Sequence, residues 1–173
     1  LKANVAVTVG RSWRYKGVDL LVDAWPIVRE AFPDAQLHVV GSGHPEAYGE
    51  VAGVRRRGYV EALADAFAPA SLFVQPSRVD TFPVSTLEAM RAGLVPLVTQ
   101  TTGTRSEARA IDSSLVVPTN TTSLAEGICD FFRRSLDDRR VLSEQARSRS
   151  QRFDPGSRKA AFREAFGEIL KAL

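Results

Sequence analysis

The segment Pro76-Ser77-Arg78-Val79-Asp80-Thr81-Phe82-Pro83-Val84-Ser85-Thr86-Leu87-Glu88 concentrates the side chains best suited to chemistry. Asp80 and Glu88, with seven residues between them, bracket a junction between a loop and a helix. Pro83 suits the first turn of that helix, where an N–H has no intrahelical partner to lose. The N–H groups of Val84, Ser85 and Thr86 are then expected to face outward at the positive end of the helix dipole, an arrangement that binds phosphate. The hydroxyls of Ser85 and Thr86 can add donors. Glu88, one turn further in, can accept hydrogen bonds from a pair of hydroxyls, because an ionised carboxylate is purely an acceptor. The same residues also read as helix caps followed by an ordinary first-turn acid.

A second group lies in the turn after the first strand, where Gly10-Arg11 is followed by Lys16-Gly17. An arginine and a lysine five residues apart can converge on a diphosphate, the arginine with a planar fork and the lysine as a point charge. Two exposed loop cations are the plainer alternative. His38 alternates within a strand and reads as structural. His44 follows Gly43 in a loop, where a peripheral ligand contact competes with a structural reading. Neither histidine is assigned a catalytic role. Cys129 falls in an apolar helical stretch and reads as a buried, inert thiol. A single cysteine excludes an internal disulfide framework and a multi-cysteine zinc site. No acids and histidines stand at metal-ligand spacing, so no metal is expected.

The elements that must position these groups follow from hydrophobic patterning. Val5–Val9 is a continuous apolar strand, and shorter strand-like runs recur at Gln36–Val40, Val54–Gly58, Ser71–Gln75, Leu94–Thr99 and Leu115–Val117. Between them, Val18, Leu21, Val22, Trp25, Val28 and Phe32 keep the spacing of one helix face. Pro26 lies inside that pattern and should cost about 3 kcal/mol or kink the helix. Glu61–Phe67 and Val84–Ala92 read as short helices, the second stopped by Gly93. From Ser123 onward three helical stretches follow without a strand; the last is capped by Asp154 with Pro155 as its first residue. Its apolar stripe runs through Phe162, Phe166, Ile169 and Leu173.

Apolar strands alternating with helices predict an α/β fold: a doubly wound parallel sheet, Rossmann-like, with a helical C-terminal third. Ligands of such sheets bind beyond the carboxyl ends of the strands, where the strand order reverses. The loops to watch are therefore Gly10-Arg11, Gly41-Ser42-Gly43, Gly58-Tyr59-Val60, Pro76–Glu88 and Thr99–Glu107.

The 173 residues suffice for one domain with a substantial core. No repeat, low-complexity tract or inner linker divides them, so residues 1–173 are expected to form a single domain. The composition, 44% hydrophobic and 25% charged, is that of an ordinary globular protein. No apolar run reaches the ~20 residues of a membrane span. No signal-peptide pattern opens the chain, so a cytoplasmic location is expected, with the inner membrane surface as an alternative. The net charge of +3 is mild. Its excess lies among Arg133, Arg134, Arg139, Arg140, Arg147, Arg149, Arg152 and Arg158, a run that reads first as a solvated helix face. Attraction to anionic lipid is the lesser reading, and without interleaved aromatics nucleic acid is not an expected partner.

In order along the chain stand Val9-Gly10-Arg11, Lys16-Gly17-Val18-Asp19-Leu20-Leu21, Leu37-His38-Val39-Val40-Gly41-Ser42-Gly43, Gly58-Tyr59-Val60, Ala70-Ser71-Leu72-Phe73-Val74-Gln75-Pro76-Ser77, Glu88-Ala89-Met90-Arg91-Ala92-Gly93, Gly103, Glu107 and Arg152-Phe153. Together they resemble the donor domain of family-four retaining glycosyltransferases. The resemblance covers essentially the whole chain. It implies one half of a GT-B fold, in which two Rossmann-like domains enclose the active site, and it matches the C-terminal half alone. An N-terminal acceptor-binding domain is expected to be absent from this chain. The chain by itself is then expected to bind nucleotide weakly and to transfer sugar poorly.

The resemblance further implies roles at matching positions. Arg11 and Lys16 should hold the diphosphate of a UDP or GDP sugar, and Glu88 the ribose hydroxyls. Asp80 stands where the family usually has a glutamate that contacts the donor sugar. The backbone of Val60, beside Tyr59, should border the nucleobase. The amides of Val84, Ser85 and Thr86 after Phe82-Pro83 should meet phosphate or sugar oxygens, with Gly10, Gly41 and Gly43 completing the lining. No cofactor is expected beyond the nucleotide diphosphate sugar, which is a substrate. The last helix should cross back to the partner domain. Departures from the pattern are Asp80 for glutamate, Thr81 and Pro83 for frequent glycines, and Thr102 for the first of a glycine pair. Two rivals remain. A non-catalytic nucleotide-sugar sensor would keep the same loops. A dinucleotide oxidoreductase is disfavoured, because Glu46 occupies the place of the third fingerprint glycine.

Overall fold

A computed structural model describes residues 4–11 and 14–171 of the chain. Six strands, β1 (Val5–Val9), β2 (Gln36–Val40), β3 (Val54–Gly58), β4 (Leu72–Gln75), β5 (Val95–Thr99) and β6 (Val116–Val117), form one sheet in the order β3-β2-β1-β4-β5-β6. Every pairing is parallel. This is the doubly wound arrangement expected from the alternation of strands and helices. The order reverses between β1 and β4, so the loops leaving these two neighbours diverge and open a crevice.

Among the described residues, seven α-helices connect and cover the strands: α1 (Val18–Ala31), α2 (Leu63–Phe67), α3 (Val84–Ala92), α4 (Arg105–Arg109), α5 (Thr121–Arg133), α6 (Leu136–Ser150) and α7 (Pro155–Lys171). On one face, Leu21, Trp25 and Val28 of α1 and Leu124, Ile128 and Phe131 of α5 pack on Ala6, Leu37, Leu72 and Leu97. On the other, Ala66 and Phe67 of α2 and Ala89 of α3 cover Val7, Val40 and Phe73. Central strands are thus apolar on both sides, as a covered parallel sheet requires. Edge strand β3 is the exception. Only Val54 is buried, while Arg55, Arg56 and Arg57 are exposed, and charge on an edge discourages pairing with another chain.

Local signals act where they were expected. Gly93 ends α3 in the left-handed conformation, and Asp154 Oδ2 accepts from the Gly156 amide at 3.1 Å as α7 begins. Helix α1 continues through Pro26, which sits on its exposed side. Cys129 is buried, and burial pushes its thiol pKa up. Helix α4 was not apparent in the sequence.

The arginine run departs from a simple solvated face. Arg133, Arg134, Arg140 and Arg149 pair with Asp130, Asp112, Asp137 and Glu107. Arg139 is buried against the rings of Phe131 and Phe132 and donates to the Phe132 carbonyl, with burial lowering its pKa. The side chain of Arg158, like Leu173 itself, lies outside the described residues. Among the described residues, no helix is long and apolar enough to cross a membrane.

Candidate functional site

The site builds outward from the ends of β1 and β4. The Gly10 amide donates to the Val40 carbonyl at 2.9 Å and the Gly41 amide to the Gly58 carbonyl at 2.8 Å, so three strand ends finish in step. A 3₁₀ turn, Arg14–Lys16, then carries Lys16 to Gly17. Gly17 adopts a φ of 68°, and a Cβ there would lie 1.9 Å from the Pro76 carbonyl oxygen. Only glycine lets the two loops pack backbone to backbone here.

Three further links tie these loops together. The Arg78 amide donates to the Tyr15 carbonyl at 2.7 Å. The Arg78 guanidinium grips both Asp19 carboxylate oxygens at 2.7 Å and the Arg14 carbonyl at 2.6 Å. That hydrogen-bonded fork holds the Asp19 carboxyl below its usual range, against a desolvation that acts the other way. Lys16 Nζ lies 2.7 Å from Asp80 Oδ2, with both side chains partly buried. Two of the expected site residues, 64 positions apart, are therefore in direct contact.

A hydroxyl network supports the 76–82 loop from below. Thr99 and Thr101 both donate to the Ser77 carbonyl, at 2.6 and 2.7 Å, and Gln75 donates to the Ser77 hydroxyl at 2.8 Å. The Thr99 and Thr102 hydroxyls lie 2.9 Å apart. The Gly103 amide donates to the Asp80 carbonyl at 2.7 Å, and a Cβ on Gly103 would stand 1.5 Å from the Thr81 carbonyl oxygen. Asp80 is thus held by its side chain from the turn after β1 and by its backbone from the segment after β5. Thr102 is wholly buried in this network.

The start of α3 differs from expectation in three respects. The Thr86 amide is not free, because it donates to the Pro83 carbonyl at 3.1 Å in a tight first turn. The Thr86 side chain is wholly buried, so its hydroxyl cannot line an open cleft. Pro83 occupies the N-cap rather than the first turn, so Ser85 and Thr86 lie inside the helix and are not its caps. Val84 is exposed, and Ser85 reaches Gln75 Oε1 at 3.5 Å. These two residues keep the cleft-facing reading open.

The remaining expected residues are less tightly joined. Arg11 is exposed, its backbone beside Gly41. Glu88 is exposed on α3 and borders a groove with Leu63, Ala64, Phe67, Arg91 and Ala92; no hydrogen bond or ion pair links it to Lys16 or Asp80. Tyr59 is 79% exposed and Val60 partly so. Phe82 packs on Phe153 with ring centroids 5.7 Å apart. Gly43 turns the chain with a φ of 80° just before His44. His44 is buried, and its Nε2 lies 2.8 Å from the Gly10 carbonyl oxygen. Among the described residues, no three His, Cys, Asp or Glu side chains form a group able to hold a metal.

The family model described as Glycosyl transferases group 1 matches residues 3–134. The chain belongs to this family of glycosyltransferases. It is 28% identical over 169 residues to D-inositol 3-phosphate glycosyltransferase of Jonesia denitrificans, matching 88% of this chain and 40% of that protein. Among solved structures, sucrose-phosphate synthase from Thermosynechococcus elongatus superposes with a TM-score of 0.83 at 23% identity, over 99% of this chain and 47% of that one. An Anabaena protein, HepE, solved with UDP and glucose, gives 0.78 at 19% identity, over 99% and 49%. At these identities the superpositions establish the fold: the chain has the form of one Rossmann-like half of a GT-B glycosyltransferase. It spans less than half the length of each of these relatives.

In this group 1 glycosyltransferase chain, the sequence reading missed Arg78, Asp19, Gln75 and Ser77 as organisers of the site. Arg78 offered one signal, a second charged side chain two residues before Asp80 in the same loop, but its partner lies 59 positions away. Glu107, quoted with the family pattern, forms a partly buried pair with Arg149 at 2.8 Å.

Proposed function

We propose that this chain is the donor-binding domain of a retaining glycosyltransferase that takes a sugar from a nucleotide diphosphate sugar, UDP or GDP being the expected carriers. The observation that carries the reading is the Lys16–Asp80 contact at the crevice between β1 and β4. It sets a cation suited to a diphosphate beside the acid that stands at the family's sugar-contacting position. The UDP and glucose in the Anabaena structure agree with such a ligand.

Breaking the bond between the anomeric carbon and the diphosphate builds negative charge on the leaving group while the sugar becomes oxocarbenium-like. Groups that bind this charge more strongly as it grows lower the barrier. In this reading Arg11 and Lys16 do so from the β1 loop, and the amides of Val84 and Ser85 do so from the start of α3. Glu88 accepts from the ribose hydroxyls, the Val60 backbone with Tyr59 borders the base, and Asp80 holds the sugar. Gly10, Gly41 and Gly43 line the cleft.

The acceptor-binding half belongs to a second domain outside these residues. Helix α7 offers it an apolar stripe, since Phe162, Phe166 and Ile169 are 69%, 49% and 59% exposed. Half a cleft cannot orient an acceptor, so the chain alone is expected to bind donor and transfer poorly. Calorimetric titration with UDP, GDP and ADP, repeated on Arg11→Ala and Glu88→Ala, tests the site. Each substitution removes a charge-assisted contact and should weaken binding about 10- to 100-fold. Unchanged affinity in both variants refutes the assignment, and full turnover by the isolated chain refutes the half-site.

A further inference from the structure

We infer that His44 is a positioning residue for the donor diphosphate, holding the Gly10 peptide from which Arg11 departs. The inference rests on the donor site proposed above.

His44 is 6% exposed and follows β2, so it approaches the end of β1 from the neighbouring strand. A carbonyl oxygen only accepts, so the 2.8 Å contact with Gly10 places the imidazole proton on Nε2. Nδ1 is then a bare acceptor, buried and without a partner among the described residues. An apolar side chain would avoid that unsatisfied nitrogen. What the histidine supplies in its place is the bond to Gly10. Desolvation lowers its pKa, which agrees with a neutral ring.

Gly10 is consequently held on both sides. Its amide donates to Val40 at 2.9 Å, and its carbonyl accepts from His44. Gly41 packs against the same carbonyl so closely that a Cβ would stand 1.9 Å from the oxygen. The Tyr48 ring, with its centroid 6.1 Å away, flanks the imidazole. Arg11 itself is exposed and makes no ion pair or side-chain hydrogen bond among the described residues. Among the described residues, its backbone is restrained by the peptide before it and by the close approach of Gly41. Fixing that peptide removes part of the backbone ordering that gripping a diphosphate would otherwise require.

The test uses the whole chain with UDP, GDP and ADP as diphosphate probes and uridine as a phosphate-free control. His44→Leu removes the donor and His44→Gln retains one. Affinity for the preferred diphosphate is expected to fall about tenfold in His44→Leu and to recover most of that loss in His44→Gln, with uridine binding unmoved. A purely structural histidine would lower the unfolding midpoint and leave the diphosphate affinity of the folded protein unchanged, and that result overturns the inference. Equal losses in both variants also overturn it, since the donor would then be irrelevant. Should His44→Leu not fold, His44→Ala at reduced temperature, compared with His44→Gln, decides by the same criterion. If the unsubstituted chain binds none of the three diphosphates, the donor reading fails and this role fails with it. Diphosphate binding that survives His44→Leu sinks the positioning role alone.

Discussion

Lys16 and Asp80 meet at 2.7 Å across the crevice, each occupying the group that the proposed donor would engage. Such a pair, near the surface, contributes about 0.2–1 kcal/mol, little enough for a diphosphate to displace it. Asp80→Asn leaves Lys16 without its competing anion. It should strengthen UDP binding two- to fivefold while reducing the preference for a UDP sugar over UDP, as calorimetry would read. Weaker UDP binding in this variant would mean that Asp80 pre-orients Lys16 rather than competing for it.

Gly103 tests how tightly the acid-bearing loop is clamped. A Cβ there meets the Thr81 carbonyl oxygen at 1.5 Å, so Gly103→Ala must displace backbone and should cost at least about 2 kcal/mol. Gly58→Ala is the control. Its φ of 64° is left-handed but nothing lies within 4 Å, so only the conformational cost of about 1–2 kcal/mol applies. Urea unfolding of both variants compares the two costs, and a Gly103→Ala protein as stable as Gly58→Ala would contradict the clamp.

Arg78 and Asp19 join the two loops through a fork that lysine cannot reproduce. Arg78→Lys should cost about 0.5–1 kcal/mol, because both side chains are about one-third exposed and solvent screens them. The lowered Asp19 pKa adds a pH signature. Its stabilisation is present above the unfolded value near 3.8 and is lost as pH falls through the lower folded value. Asp19→Asn should remove that component from an acid-unfolding curve. An unaltered curve would leave the fork without an energetic role.

His38 and His44 act in a higher window. Desolvation is the leading cause that lowers both, and the unfolded chain therefore binds protons first as pH falls below about 6.5. Stability should be complete above that value and decline from there towards the folded pKa values. Denaturant midpoints measured between pH 7.5 and 5 check this. In His38→Leu the decline should become shallower, and an equally steep slope would show that His38 does not contribute.

The fold was legible because its signals are local. Val5–Val9 and Gln36–Val40 are apolar runs whose bounds coincide with β1 and β2, and Gly93 stops α3 where its lack of a Cβ permits a left-handed turn. Helix α4 escaped notice because Ala108 is its one buried position, whereas the equally short α2 buries both Ala66 and Phe67. The site was legible in part. Gly10, Lys16 and Asp80 were named and come together, whereas the Thr86 amide was taken to be free and is donated to Pro83. That difference depends on whether the first turn closes tightly, which residue type alone does not specify.

Taken by itself, the sequence determined the alternation of buried strands and helices, hence a parallel sheet, and which loops would crowd its carboxyl edge. Hydrophobic period and backbone propensity act over a few residues and are written directly in residue order. Only the tertiary structure decided that Lys16 would face Asp80, that Arg78 would clasp Asp19, and that Arg139 would be buried between phenylalanines. Coulomb energy and hydrogen bonding require approach within a few ångströms. For partners as far apart in sequence as Lys16 and Asp80, the folding of β1 beside β4 sets that distance.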